Sequence, residues 1–562
     1  MTSGATAMTR IRTGVPGFDA VLNGGIPELS FNLIAGGPGA GKTTLAQQIL
    51  FANATPERPG LYFTVLGEPT LKMIRYQRQY TFFEPERVGT DIHLLNLSGE
   101  AEAGDLDAVL RRIIDEVERL HPGFVVVDSF RTLGPTISGA DPAALARLEH
   151  FVQRLAIYLT TWEATSFLIS EYADEEQRHP VFTVADGIFW LSQVAERNSV
   201  VRKLQIMKTR GQGFMPGLHT FRITESGLQV FPRIPEQQGA RHRPADRRIS
   251  TGVPGLDEMM GGGIPAGDAV MLAGPTGTGK TTIATQFLGR SHRDGEAVVA
   301  AVFEEYPDNY LARGTKLGVD LNEMVRSGKL RVIYLRPLDL SVDETLAAIL
   351  DAVKETGATR VVIDSLSGFE IALAPAFRED FRESFYRLIG ALTATGVTVL
   401  MTNEVGGPRA DMSFTGERVS FITDDIIIQR YVEIAGELRT VLAVVKMRGS
   451  SHSREFREYV ITREGAVIGK PLAEYRAIMT GFPERSASAI IEGRSALTSG
   501  EYTVLETLIR LGQASVETLA TRTGLPFRDI ELALERLVAL DYVIGASDGS
   551  GTYRATPQGV RP

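Results

Sequence analysis

Two short stretches place a lysine where it can meet phosphate. Gly36-Gly37-Pro38-Gly39-Ala40-Gly41-Lys42-Thr43, followed by Thr44, and Gly274-Pro275-Thr276-Gly277-Thr278-Gly279-Lys280-Thr281, followed by Thr282, both fit the P-loop pattern G-x-x-x-x-G-K-[ST]. In such a loop the glycines let backbone N–H groups converge on phosphate oxygens at the positive end of a helix. Lys42 and Lys280 then reach the β- and γ-phosphates, and the Thr43 and Thr281 hydroxyls are candidate Mg²⁺ ligands. A glycine turn beside a surface lysine is the plainer explanation for one such stretch. Two of them at a fixed spacing leave that explanation little room, so ATP with Mg²⁺ is the expected cofactor pair.

A phosphate loop needs a strand before it and a helix after it. Phe31 to Ala35 and Ala269 to Ala273 are the apolar runs that would supply the strands, and a helical pattern follows each loop. A second acidic landmark is expected at the end of another buried strand, where a carboxylate can orient the magnesium shell. Phe124-Val125-Val126-Val127-Asp128 and Arg360-Val361-Val362-Ile363-Asp364 are β-branched runs suited to buried parallel strands, and Asp128 and Asp364 close them. Either run alone is commonplace. After a P-loop, each becomes a candidate metal-orienting group.

The pairing of these features is a duplication of the chain. Thr13-Gly14-Val15-Pro16-Gly17-Phe18-Asp19 returns as Thr251-Gly252-Val253-Pro254-Gly255-Leu256-Asp257, 238 positions on. Gly24-Gly25-Ile26-Pro27, Lys42 and Lys208-Thr209-Arg210 recur at the same spacing as Gly262-Gly263-Ile264-Pro265, Lys280 and Lys446-Met447-Arg448, and Asp128 recurs as Asp364 at 236. A period of this size means two domains, not a solenoid. The expected division is 9–232 and 249–480 for the two copies, 233–248 and 481–495 for polar linkers, and 496–562 for a separate tail.

With 562 residues, 43% hydrophobic and 23% charged, the chain has ordinary globular composition and enough length for several cores. Lys plus Arg number 59 against 68 acids, a net charge of −9, which lacks the positive excess that nucleic-acid binders use to displace counterions. There is no cysteine, so disulfides, thiolate catalysis and cysteine-based zinc sites are excluded. Met1 to Arg12 hold no apolar core of signal-peptide length, and no run of about 18 apolar residues follows. A cytoplasmic protein without membrane or nucleic-acid contact is the expectation.

With these landmarks, residues 9 to 480 resemble the KaiC family of RecA-like ATPases, duplicated and ring-forming. The resemblance implies an α/β fold of two tandem RecA-like P-loop NTPase domains, each a mainly parallel sheet flanked by helices, assembled as a homo-hexameric double ring. It implies further that two adjacent glutamates after the second core strand activate the attacking water. Glu304 and Glu305 hold those places in the second copy; in the first, Leu66-Gly67-Glu68-Pro69 is read as leaving only Glu68, with Gly67 replacing its neighbour. A Lys-x-Arg pair reaching the γ-phosphate of the next subunit corresponds to Lys208 and Arg210, and to Lys446 and Arg448. A spacing of two would put both cations on one face of a strand. Clock-type members phosphorylate an adjacent Ser-Thr pair in the second domain. Here Ser420 holds the serine place but Phe421 the threonine place, and Phe182 stands opposite Ser420 in the first copy. Single-site phosphotransfer to Ser420 therefore stays open, whereas a two-site cycle does not.

The tail has another pattern. Ser499 to Leu511, Ser515 to Thr523 and Pro526 to Leu540 read as helices, and Tyr542 to Ile544 with Thr552 to Arg554 as a hairpin, the order of a winged helix. Six Arg, no Lys and eight acids over 495–562 disfavour DNA and favour an unidentified protein partner. Three functions follow from the whole: an ATP-hydrolysing switch or timer with serine autokinase activity open, a DNA-repair accessory ATPase of RecA type, or a nucleotide-gated scaffold with little hydrolysis.

Overall fold

The apolar runs around the glycine loops form the middles of two large sheets. In the computed structural model, described over residues 9–65, 70–102, 105–129, 142–172, 181–196, 199–233, 247–335, 341–373, 381–405, 423–434, 436–480, 483–485, 497–540, 542–545 and 551–556, each copy folds around nine strands. In the first copy these are β1 (Phe31–Gly36), β2 (Gly60–Thr64), β3 (Ile92–Asn96), β4 (Phe124–Asp128), β5 (Thr165–Glu171), β6 (Gly187–Glu196), β7 (Ser199–Thr209), β8 (Leu218–Thr224) and β9 (Gly227–Phe231). Their spatial order is β3-β2-β4-β5-β1-β6-β7-β8-β9; pairs up to β1 with β6 are parallel, and the last three are antiparallel.

The second copy repeats that order with β10 (Ala269–Gly274), β11 (Val298–Val302), β12 (Leu330–Tyr334), β13 (Arg360–Asp364), β14 (Thr398–Glu404), β15 (Asp425–Ile434), β16 (Glu437–Met447), β17 (Arg457–Thr462) and β18 (Gly465–Pro471). Identical topology in both sheets carries the duplication from sequence into structure.

Central strands are buried on both faces, which is why they read as unbroken apolar runs rather than as alternation. Leu33 and Ala35 of β1 enter one core layer and Ile34 the other; Val125 and Val127 of β4 likewise part from Val126. Helices complete the layers. In the first copy α1 (Lys42–Asn53) follows the P-loop, and α2 (Leu106–Leu120) turns Val109, Leu110, Ile113 and Val117 to the sheet, its first turn capped by the Asp105 carboxylate accepting from Ala108 N at 2.9 Å. Further on, α3 (Pro142–Thr161) precedes β5. In the second copy α4 (Lys280–Arg293), α5 (Val342–Thr356) and α6 (Phe381–Ala394) hold the matching places.

The domains meet where β8 and β9 pack on α5. Arg222 donates to Glu344 of α5 at 2.6 Å across that contact, and Arg233 to Glu383 of α6 at 2.7 Å beside it. Arg233 and Arg248, placed in the linker by sequence, are thus structured: Arg248–Ile249 pairs antiparallel with Ile264–Pro265, just as Arg10–Ile11 pairs with Ile26–Pro27. Linker polarity hid this, because a two-residue strand has no periodicity to read. Glu484–Arg485 similarly pairs with Tyr475–Arg476.

In the tail, α7 (Ser499–Leu511), α8 (Val516–Thr523) and α9 (Phe527–Ala539) enclose Val504, Leu505, Leu508, Leu519, Ile530, Leu534 and Leu537. A short strand at Ala514–Ser515, missed in the sequence, joins Thr552–Ala555, which also pairs with Val543–Gly545. This is the winged-helix arrangement. On α9 the exposed positions include Arg528, Asp529, Glu531, Leu532, Glu535 and Arg536, so the helix that such folds use to read DNA presents three acids and a leucine against two arginines. Among the described residues no helix is long and apolar enough to cross a membrane.

Candidate nucleotide sites

Both glycine loops leave the carboxyl end of a central strand and enter a helix at the lysine. Gly41 and Gly279, immediately before Lys42 and Lys280, have φ of +101° and +87°. A Cβ on Gly41 would stand 2.7 Å from Ile223 Cδ1, and one on Gly279 only 2.2 Å from Ile461 Cδ1. These isoleucines lie on the antiparallel extension of each sheet and press the loop against the helix start. Gly279→Ala should therefore cost about 1–3 kcal/mol in backbone strain before the clash is counted. The expected result is a lower thermal midpoint for the second domain and a weaker response of that midpoint to Mg·ATP, read by calorimetry.

In domain one Lys42 Nζ donates to Gly37 O at 2.7 Å and lies 3.6 Å from the Glu171 carboxylate at the end of β5. Burial lowers the Lys42 pKa, against the pull of Glu171 and Asp128. Thr43 donates to Asp128 Oδ2 at 2.8 Å. Burial raises the Asp128 pKa, while the hydroxyls of Tyr62 and Thr43 stabilise its anion. Gly39, Gly41, Lys42, Thr43, Thr44, Asp128 and Glu171 line one cleft of about 620 Å³, of a size that accepts a nucleotide.

Domain two repeats the arrangement. Lys280 Nζ donates to Gly274 O and Pro275 O, both at 2.8 Å, and Thr281 approaches Asp364 Oδ1 at 3.4 Å. Burial again lowers the lysine and raises the aspartate. Thr276 donates to Glu404, which ends β14 as Glu171 ends β5. Thr278 is fixed by Gln429, and its carbonyl accepts from Tyr459. A hydroxyl beside a buried carboxylate is a hard-oxygen donor set that suits Mg²⁺. Among the described residues no cluster of three or more His, Asp or Glu side chains could cage an ion alone, so phosphate and water must supply most of its shell.

The glutamate pair is not equivalent in its two members. Glu304 Oε1 accepts from Ser365, the residue after Asp364, and its charge is felt by both Lys280 and Asp364. Glu305 is instead paired with Arg313 at 2.8 Å, on the helix Pro307–Lys316. Glu304 is thus the member of the pair whose charge acts on the P-loop lysine. In domain one the segment 66–69, with Glu68, lies outside the described residues. The register on either side is informative: Val65 donates to Asp128 O as Phe303 does to Asp364 O, so the chain enters the segment at the 238 spacing. Pro69 keeps that spacing with Pro307. Counting between them sets Leu66 and Gly67 opposite Glu304 and Glu305, with Glu68 opposite Tyr306. At that spacing the two places hold Leu66 and Gly67 by sequence count, and the expected role of Glu68 falls on residues outside those described.

Lys208 Nζ donates to the carbonyls of Phe182 and Thr183 at 3.1 and 3.2 Å, and Arg210 pairs with Asp186 at 3.1 Å. Lys446 donates to Thr423 O at 2.5 Å, and Arg448 sits 3.7 Å from buried Asp424. Burial lowers both lysine pKa values, with the adjacent arginine acting in the same direction. A β-bulge precedes each pair, between Ile188/Phe189 and between Ile426/Ile427, and re-aims the strand end. Periodicity alone did not reveal the bulge. Asp186 and Asp424 bond to the first residues of β1 and β10, so each cationic pair lies where the parallel strands begin, and each P-loop where they end. At about 3.3 Å per residue, the length of β1 or β10 separates them by roughly 17 Å along the strand. Ser420 lies outside the described residues.

Sequence reading overlooked Glu171, Glu404, Ser365, Arg313, Tyr62 and Thr402. The first two were findable, since each closes an apolar run as Asp128 and Asp364 do; the others meet the site only through the fold.

The chain is similar to known proteins over most of its length. A family model described as the KaiC ATPase matches the chain twice, over residues 11–234 and 249–473. The circadian clock oscillator protein KaiC of Prochlorococcus marinus is 30% identical over 486 residues, covering 85% of this chain and 96% of its own. That of Rippkaea orientalis is 32% identical over 489 residues, covering 85% and 92%. Circadian clock protein KaiC3 of Synechocystis is 30% identical over 502 residues, covering 87% and 97%.

Proposed function

The chain belongs to the KaiC family of ATPases, and from that premise we propose that it is an ATP-hydrolysing homo-hexameric ring protein that acts as a signalling switch or timer. The observation that carries the ring is the distance within one chain between each Lys-Arg pair and its own P-loop. Cations at the opposite end of the sheet cannot stabilise phosphate held by that same loop. Placed against a neighbour, Lys208 with Arg210 and Lys446 with Arg448 can neutralise charge on the transferring phosphoryl group, while Lys42 and Lys280 hold the β- and γ-phosphates. Thr43 with Asp128, and Thr281 with Asp364, would hold Mg²⁺, which on binding neutralises charge between the phosphates.

Domain two is the main hydrolytic site in this reading. Glu304 takes the proton of the attacking water, and Glu305 is held back by Arg313. Domain one, with Leu66 and Gly67 at the corresponding places, holds nucleotide as a scaffold. The names of the relatives attach a clock role to those proteins; for this chain the acidic, leucine-bearing face of the winged helix points to a protein partner and a different output.

Ser420 is the candidate phosphate acceptor. After incubation with Mg·ATP, peptide mass spectrometry is expected to find phosphate at Ser420 in the wild type and none there in Ser420→Ala, beside ADP release in both. ADP release with no phosphopeptide would withdraw the autokinase reading and leave ring conformation as the output. No ADP release, with ATP-dependent assembly intact, would instead favour the scaffold reading for the whole chain.

A further inference from the structure

Asp128 and Asp364 each collect two hydroxyl donors on a single oxygen, and the second donor comes from opposite sides of the strand. In domain one Tyr62 donates to Asp128 Oδ2 at 2.5 Å, the oxygen that already accepts from Thr43. In domain two Thr402 donates to Asp364 Oδ1 at 2.5 Å, the oxygen that Thr281 approaches. Tyr62 stands on β2, one neighbour of β4. Thr402 stands on β14, the other neighbour of β13.

The registers show that one donor has been exchanged for the other. Tyr62 is level with Val126 and Ala300 with Val362, so Ala300 occupies the place of Tyr62. Ile34 is level with Ile169 and Leu272 with Thr402, so Ile169 occupies the place of Thr402. Neither alanine nor isoleucine can donate. Tyr62, Ile169, Ala300 and Thr402 are all fully buried, so each hydroxyl bond to its aspartate is made inside the core.

We propose that Tyr62 and Thr402 are equivalent positioning residues, each fixing the rotamer of its aspartate so that the other carboxylate oxygen is presented to the water shell of a nucleotide-bound Mg²⁺. The inference rests on reading both clefts as Mg·ATP sites. Two donors on one oxygen settle which oxygen remains, and a carboxylate with a single donor can rotate. Outer groups that orient metal-site ligands are typically worth 10- to 100-fold in metal affinity or activity.

The test is a Mg²⁺ titration of fluorescent ATP-analogue retention by the full chain. Lys42→Ala confines loading to domain two for the Thr402 variants, and Lys280→Ala confines it to domain one for the Tyr62 variants. Thr402→Val and Tyr62→Phe are expected to raise the Mg²⁺ midpoint about tenfold or more, with retention of metal-free analogue unchanged. Thr402→Ser should restore the midpoint, and Tyr62→Phe combined with Ile169→Thr should restore it in domain one. An unchanged midpoint in both single variants overturns the inference. So does an equal loss of retention with and without Mg²⁺, which would make the hydroxyls ordinary core partners. A wild type that retains analogue but hydrolyses nothing would sink the ATPase reading while leaving the midpoints readable.

Discussion

Glu304→Gln is expected to lower steady-state ATP turnover of the full chain by roughly 10²- to 10⁴-fold, the range a general base contributes, with nucleotide affinity kept. Three observations concentrate the effect on this residue. Its carboxylate is set by Ser365, directly after Asp364. Its charge reaches Lys280 and Asp364, which border the phosphate position. At the 238 spacing the first domain has Leu66 and Gly67 where the second has Glu304 and Glu305. Glu305→Gln should cost less, since Glu305 is committed to Arg313; its loss frees that arginine without removing the base. Phosphate release under saturating Mg·ATP measures both. A decrease below about threefold for Glu304→Gln would move the chemistry to domain one, with Glu68 as the residue to replace next. Equal losses in the two variants would mean that the carboxylates act as a unit.

Much of the fold was legible because its signals are local. A P-loop, two β-branched runs ending in aspartate and a 238-residue repeat need only a few neighbours to be read. Identical strand order in the two sheets follows from the repeat. What stayed hidden depends on pairing between distant strands. Tyr62 and Thr402 looked like ordinary core residues, and only the registers of β2 with β4 and of β13 with β14 set their hydroxyls on an aspartate. The bulges before Lys208 and Lys446 were hidden for the same reason, since a strand's own sequence does not say which partner residue is skipped. Glu68 lies outside the described residues; the flanking bonds at Val65 and Phe303 fix only where the chain enters that segment, and the 238 spacing sets Glu68 level with Tyr306 by sequence count.

Arg448→Ala carries the second large effect, because it tests the shared site itself. The side chain is 58% exposed and 3.7 Å from the Asp424 carboxylate, at the end of the sheet where β10 begins. Within its own chain it has no route to the phosphates of Lys280. If it acts on a neighbour's nucleotide as an arginine finger, its removal should cost about 10³-fold or more in turnover, leaving ATP affinity within a small factor. Loss of an internal brace would act otherwise: Arg448→Ala would lower the thermal midpoint, and Arg448→Lys would largely restore both stability and rate. The decisive arm mixes two inactive proteins. Arg448→Ala retains Glu304, and Glu304→Gln retains Arg448, so a mixed ring contains boundaries at which an intact base faces an intact finger. Random assembly at equal amounts makes about a quarter of the boundaries competent, and turnover should return to roughly that fraction of wild type. Mixtures as inactive as their components would place Arg448 outside the reaction, and the ring would lose its part in the chemistry.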